Sequence, residues 1–533
     1  MKNTTFSRSR LASAVSVALA VSGMAVALPA SAQEEAEVME EVVVTGYRKS
    51  LIDSIENKRF NSSVIESISA EDIGKLPDSS IAESLARLPG LAAQRLDGRA
   101  SRISIRGFGE NESATTFNGR EQVSISDNRG VEFDLYPSEI MAEVNVYKTP
   151  NATLEAEGIA GVIDMRTIKP LDTESRIQVR AEYEYNNLGK LNPDSDDTGI
   201  NTTFSYIDQF ADDKIGFAFA HARLDSPNQE NRWNSWGFPD GVLGGAKPFV
   251  RSSTLERSST MAVLQMEPSD RLSMTADLLY VDFDDQKLLR GIEIPFAWGQ
   301  GSVTAGAPDA DGLVTSGETV GQRVVVRNDY EERTADLTQF GFNAKYEYSD
   351  ETQLEFDVSR SAVEREIYSF ESYSGTGRGN DRGAADTIGY QLNSGGAGAV
   401  FSPNLDYSDT SLIQLGGPLT WGWQQSLNEK FNAVGTEFEN TAQDGFLNAP
   451  NIDDELTAIK LAATTQVDAG MITSVQYGVS RRDRTKEKSA ENYFMTLNTI
   501  PDRVSVQAQN YLGSVNLNFI GIGAMIKHDS LAM

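Results

Sequence analysis

The sequence predicts a small α+β domain followed by the wall of an antiparallel transmembrane β-barrel, and three observations carry that prediction. The first is alternation. From Arg176 to Tyr185, Ile177, Val179, Ala181, Tyr183 and Tyr185 alternate with Arg176, Gln178, Arg180, Glu182 and Glu184. That is the period-two pattern of strands with one apolar and one charged face. The second is connection length. Short polar turns at Ala211–Lys214, Glu267–Asp270, Ser349–Thr352 and Asp468–Gly470 alternate with the long segments 188–198, 227–257, 284–332, 369–454 and 487–502. A soluble sandwich would show the first pattern but not the second, which belongs to barrels with short turns on one side of a membrane and long loops on the other. The third is an export lead at the N-terminus.

That lead is residues 1–32. Lys2, Arg8 and Arg10 form a basic start, Leu11 to Leu28 an apolar run, and Ala30-Ser31-Ala32 a small-residue cleavage site, the pattern of a secretory signal peptide. The run is short, rich in Ala and Ser, and ends at Pro29, so cleavage is expected rather than anchoring. No later segment has the ~18 uninterrupted apolar residues of a membrane helix. The chain of 533 residues carries a formal net charge of −30, no cysteine, and the histidines His221 and His528. Such acidity excludes nucleic acid as a partner, because phosphates are repelled. Without cysteine there is no disulfide framework and no thiolate chemistry.

Residues 33–51 read as a flexible lead. Gln33 to Glu40 is mostly polar or acidic, and Glu41-Val42-Val43-Val44-Thr45-Gly46 is a short β-prone segment within it. Its residues suit either pairing with another protein's sheet edge or a first strand of the following domain.

Residues 52–172 form the small domain. Ser69-Ala70-Glu71-Asp72 has a capping-box pattern. Asp78 to Leu88 places Ile81, Leu85 and Leu88 on one helical face before Pro89-Gly90 stops it. Ile103 and Ile105 alternate with Arg102, Ser104 and Arg106 in a half-buried strand. Gly107 and Gly109 then turn the chain into the polar tip Glu110-Asn111-Glu112-Ser113, and Asn118-Gly119 supplies a turn signal. A short helix is expected from Tyr136-Pro137-Ser138-Glu139. A strand through Val144 and Val146 to Lys148 follows it, and a last strand runs from Val162 to Arg166.

The order EEVVVTG, SIAESLARLPGL, ISIRGFG, FNGR, YPSEIMAEVNVYKTP and EGIAGVIDMRTIKP resembles the TonB box and plug of TonB-dependent outer-membrane receptors over about 130 residues. Lys148-Thr149-Pro150 stands where many members have Arg-Gly, a variant similar to a subgroup associated with oligosaccharide uptake. The resemblance implies an α+β plug domain, a partial barrel over 173–533, and location in the outer membrane of a Gram-negative bacterium. It implies Glu41–Gly46 as the segment that pairs with TonB, with the ExbB-ExbD complex supplying energy, and it implies no cofactor. The ligand expected is an oligosaccharide, with a ferric siderophore second. A signalling transducer would carry a further folded domain before the box, which the eight residues 33–40 cannot form. An enzyme is not expected: there is no metal-binding histidine pair, nucleophile elbow or phosphate loop.

The wall pattern repeats at Leu354, Phe356 and Val358, and again at Phe340, Phe342, Ala344, Tyr346 and Tyr348. About ten strands are expected, against about 22 in plugged transporters. Met525 to Met533 does not resemble a closing strand, so an incomplete receptor or fragment is expected. Although ordinary polar turns would read the same, the resemblance implies that the tips Glu110, Asn111, Glu112 and Ser113 and Ser126, Asp127, Asn128 and Arg129 point outward as ligand-binding candidates. Trp233, Trp236, Trp298, Trp421 and Trp423, all in long segments, join them. Their rings suit sugar faces, although packing of loop against loop or an interfacial girdle would also use them. Arg106 and Lys148 are candidates for plug–wall ion pairs with Glu182, Glu184 or Glu355. Asp194, Asp196 and Asp197 lack the remaining ligands of a calcium loop, and Gly375, Gly377 and Gly379 read as flexible loop.

Overall fold

The computed structural model describes residues 55–532 apart from 60, 62, 70–80, 97, 137–140, 150, 155–157, 300, 379–381, 394–397, 417–430, 434–435, 439–443, 496 and 498–503. The export lead, the segment Glu41–Gly46, most of the capping box, residues 137–139 of the expected helix start, Gly379, Trp421 and Trp423 lie outside the described residues.

The small domain is a mixed sheet with a hairpin and short helical turns on it. Its strands are β1 (Ile65–Ser69), β2 (Leu91–Leu96), β3 (Arg99–Ile105), β4 (Ser113–Phe117), β5 (Arg120–Glu121), β6 (Met141–Tyr147) and β7 (Gly161–Thr167), with a helix at Ile81–Leu85. The sheet order is β1-β6-β7-β4-β5, and β2 pairs with β3 separately. Only β4 and β7 are parallel. Alternation decides which side chains meet: Ile103 and Ile105, Val144 and Val146, and Ile163 and Met165 are all buried, together with Ile81 and Leu85 of the helix.

Gly158 is required for this packing. A Cβ on Gly158 would lie 2.4 Å from the Gly161 carbonyl oxygen and 2.8 Å from the Ala114 amide nitrogen. Both are backbone atoms and cannot swing aside. Gly158→Ala is therefore expected to destabilise the small domain by about 1–3 kcal/mol, the usual cost of overpacking. Gly389→Ala, whose nearest atom would be 3.7 Å away, is expected to be near neutral. Urea unfolding of the two variants checks the difference.

The remainder is a wall of nine consecutive antiparallel strands: Arg176–Tyr185, Thr198–Phe210, Ile215–Arg232, Phe249–Ser269, Leu272–Pro295, Val325–Glu347, Thr352–Gly375, Gly445–Ala469 and Ile472–Met495. The four short turns fall where the sequence placed them, between the second and third, fourth and fifth, sixth and seventh, and eighth and ninth strands. Among the described residues the sheet is not closed, and its path ends at Arg176–Tyr185 and Ile472–Met495. No helix among them is long and apolar enough to cross a membrane, which says nothing of strands.

The long segments are corrected. The strands continue far into them: Leu272–Pro295 has 24 residues, about 80 Å at ~3.3 Å each, where lipid needs only about 9–11. Outward residues change character along the way. Met274, Ala276, Leu278 and Tyr280 are followed by Asp282 and Asp284. In the same cross-strand row, Asp282, Asp336, Glu364, Asp453 and Glu487 stand directly opposite one another on five neighbouring strands. Like charges in register repel, so this row belongs in water beyond the lipid band. The period-two ladder goes on where apolar residues no longer mark it. Gly375 and Gly377 accordingly lie on strands, not in a loop.

The wall's inner face is also less polar than expected. Leu279, Val281, Phe283 and Leu337 are buried and share one core with Ile103, Ile105, Phe117 and Val146 of the small domain. This part of the inner face packs against the small domain.

Beyond the wall the long connections fold into an outer cap. Its four-stranded sheet runs Ser302–Ala305, Ser316–Gln322, Asp386–Leu392, Ala399–Pro403. Residues Tyr511–Asn516 and Ala524–His528 form a hairpin. Ile526 and Met525 from that hairpin are buried with Phe296, Val326, Tyr390 and Phe401 in the cap's own core. The Ile526 amide donates to the Tyr407 carbonyl at 2.9 Å.

Candidate functional site

The site is the seat of the small domain within the wall and the outer tips above it. It starts at the turn after β4. Asn118 and Gly119 have φ of 52° and 78°, the left-handed pair that a tight hairpin requires. This turn delivers Arg120 to the wall. Its Nε lies 2.9 Å from Asp357 Oδ1 and its Nη2 2.9 Å from Asp357 Oδ2, while Nη1 reaches Asp277 Oδ2 at 2.5 Å. Arg120 and Asp277 are buried. Gly341 leaves the passage open, since a Cβ there would sit 1.9 Å from Arg120 Nη1.

Two further networks flank it. Glu132 accepts from Arg102 of its own domain at 2.7 Å and from Arg333 of the wall at 3.0 Å. Asp285 of the wall pairs with Arg99 of the small domain at 3.1 Å. On the other side, Glu121 meets Arg482 at 2.6 Å and Arg484 at 2.9 Å. Arg484 also holds Asp454 at 2.6 Å, and Asp454 accepts from the Ser124 amide at 3.0 Å. Lys486 donates to the carbonyls of Ser124 and Asn128, each at 2.7 Å.

The two tips form one surface. Asn128 donates to Glu110 at 3.0 Å, Arg102 pairs with Glu110 at 3.1 Å, and Arg129 Nε donates to the Asn111 carbonyl at 2.8 Å. Asp127 is clamped by Lys488 at 2.6 Å and Arg365 at 3.4 Å. The Lys488 hydrogen bond in particular holds the Asp127 carboxyl below its ordinary value. Burial pushes Glu110 up, but hydrogen bonds from its own backbone and Asn128, with the Arg102 charge, bring it below its ordinary value. Both shifts are downward, so the clamp is complete above the ordinary carboxylate range and is lost only as pH falls below it. Glu112 and Ser113 complete this tip, with the Ser113 hydroxyl donating to the Glu110 carbonyl at 3.2 Å.

Arg106 and Lys148 are placed elsewhere than expected. Lys148 pairs with Glu66 of the small domain at 3.0 Å and also donates to the Pro89 carbonyl. Arg106 is exposed, at φ 54°, and has no ion pair with the wall among the described residues. Of the wall carboxylates named for them, Glu355 pairs with Lys460 at 3.0 Å and Glu184 accepts from Ser226 at 3.0 Å. The residues that seat the domain were missed. Their one sequence signal is the run Arg482, Arg484, Lys486, Lys488, basic at every second position of a strand but assigned from residue 487 onward to a loop.

Trp233 stacks on Phe401 with centroids 5.8 Å apart, and Phe401 on Phe296 at 5.7 Å. Trp236 lies against Gly245, where a Cβ would be 2.1 Å from its ring. Trp298 packs over Gly237 and Gly244 yet remains 49 % exposed. Loop packing thus accounts for Trp233 and Trp236. Asp194 pairs with Lys527 at 3.1 Å, and no group of potential metal ligands occurs among the described residues. Nearby, His528 is buried, and that burial together with the Arg290 charge pushes its pKa down to about 3.

A sheet domain tied by buried ion pairs inside a lipid-facing antiparallel wall is the arrangement of a plugged outer-membrane transporter. Residues 57–162 match the family model described as TonB-dependent Receptor Plug Domain, so the small domain is a plug. That match points to the TonB-dependent receptor family and to transport rather than catalysis. Similar solved structures include the outer membrane transporter YddB from Escherichia coli, with 11% identity over 80% of this chain and 74% of that one and a TM-score of 0.32. The copper transporter OprC has 11% identity, coverage of 82% and 63%, and a TM-score of 0.33. The ferric citrate transporter FecA in the unliganded form has 11%, 82% and 75%, and 0.30. No protein of curated function matches the sequence.

Proposed function

We propose that this receptor imports an oligosaccharide across the outer membrane, reaching the periplasm when TonB engages Glu41–Gly46 and draws on the ExbB-ExbD complex. The observation that supports this reading is the plug itself, seated by charge pairs that can break and re-form rather than by a covalent or wholly apolar joint. The tips at Glu110–Ser113 and Asp127–Arg129 would supply polar groups, and the exposed ring of Trp298 an aromatic face. The segment 1–32 acts as the export signal, and the wall's outward apolar band meets outer-membrane lipid. A ferric siderophore is the competing ligand.

Growth decides between the two. A deletion strain is expected to grow poorly on oligosaccharides as sole carbon source and normally under iron limitation. A defect confined to iron limitation would overturn the ligand class while leaving TonB-dependent uptake in place.

A further inference from the structure

The outer cap presents a feature that the plug and wall do not explain. Its four-stranded sheet is two-faced. One face, with Ile388, Tyr390 and Phe401, is buried in the cap core. The other carries a shallow groove of about 530 Å³, within the size range of small-molecule sites. Register fixes what lines it. Thr304, Glu318, Gly389 and Ser402 stand opposite one another across all four strands. Beside this row, Ser316 faces Gln391, and Gln391 faces Val400.

The middle of the row is a glycine. Gly389 lies in a strand interior, where glycine weakens a sheet and commonly marks close approach of a ligand or another backbone. Its φ is not in the left-handed region and a Cβ would meet nothing closer than 3.7 Å. Neither the turn geometry nor the packing of this fold therefore requires glycine there.

The rim is made of groups that both donate and accept. Hydroxyls at Thr304, Ser316 and Ser402 can do either. The Gln391 amide nitrogen is spent on the Thr315 carbonyl at 3.1 Å, which leaves its oxygen as an acceptor. Glu318 is the one charged side chain in the lining, and no Lys or Arg is among the lining residues. A phosphate or an anionic metal chelate would meet only a negative charge here.

We infer that this groove is an outer subsite for a neutral, polyhydroxylated ligand, a short stretch of oligosaccharide lying across the strands over Gly389. The inference rests on the oligosaccharide reading above and adds a place where the ligand lands before it reaches the plug tips. Ring hydroxyls pair with Thr304, Ser402 and Glu318, and the ring passes over the bare backbone at Gly389.

The test uses the full chain in detergent and calorimetric titration with neutral hexasaccharides: malto-, cello-, xylo- and chitohexaose. At least one is expected to bind, Glu318→Gln to retain binding within a few-fold, and Gly389→Phe, which fills the groove from an open position, to weaken it tenfold or more at unchanged melting temperature. Equal binding by Gly389→Phe and the parent chain would overturn the subsite while leaving the oligosaccharide reading intact. Failure of all four sugars to bind the parent chain would overturn both. Binding of an extended peptide along the free edge Ser302–Ala305, with no sugar bound, would assign the cap a different partner and overturn the inference.

Discussion

Replacing Arg120 with alanine is expected to loosen the plug from the wall while leaving the plug's own sheet folded. The guanidinium is shared by Asp277 and Asp357 at 2.5 and 2.9 Å, and Asp277 has 2 % of its surface exposed. Removing one side of a buried pair leaves uncompensated charge, at a cost of about 3–5 kcal/mol. Two carboxylates facing each other without their cation make this the most sensitive position of the seat. The loss arises from stranded charge rather than from a missing attraction. It follows that Arg120→Met combined with Asp277→Asn and Asp357→Asn recovers most of it, because neutral partners of similar size carry no such penalty. Hydrogen exchange of Ser113 to Glu121, together with urea unfolding, reads both variants. Protection in Arg120→Ala equal to that of the parent chain would show that the seat is carried elsewhere, by the Glu132–Arg333 and Glu121–Arg484 pairs.

The same pairs explain what the sequence could and could not reveal. Ile103 and Ile105 on a strand, the Asn118-Gly119 turn and the four short turns of the wall are local features. Their periodicity and backbone preferences are written in neighbouring residues. The ion pairs that seat the plug join positions far apart in the chain, from 157 residues for Arg120 with Asp277 to 363 for Glu121 with Arg484, and nothing in the local pattern selects one inward-facing charge over another. Lys148 illustrates the difficulty. A wall carboxylate is the partner its position suggests, whereas β1 brings Glu66 beside it within the plug.

Apolar residues mark only part of each wall strand. Once outward positions change from Leu278 and Tyr280 to Asp282 and Asp284, alternation continues in charge and exposure but no longer in hydropathy. Hydropathy ends the strand 472–495 at residue 486 for that reason, which puts Lys488, the partner of Asp127, in an expected loop. The tryptophans are ambiguous in sequence, since a flat ring suits a sugar and a neighbouring phenylalanine equally well. Trp233 on Phe401 takes the second course.

The claim on which everything else depends is that ligand movement through this receptor is driven by TonB acting on the segment before the plug. Val43→Pro tests it most directly. Proline removes a backbone donor from a three-valine run and cannot complete a ladder with a partner strand, yet it lies before the plug and outside the tips proposed to meet the ligand. The measurement is uptake of labelled ligand by cells carrying the variant, alongside ligand binding at their surface. Binding at the level of the parent receptor with uptake abolished is the result predicted; uptake by Val43→Pro at the parent rate would contradict the account.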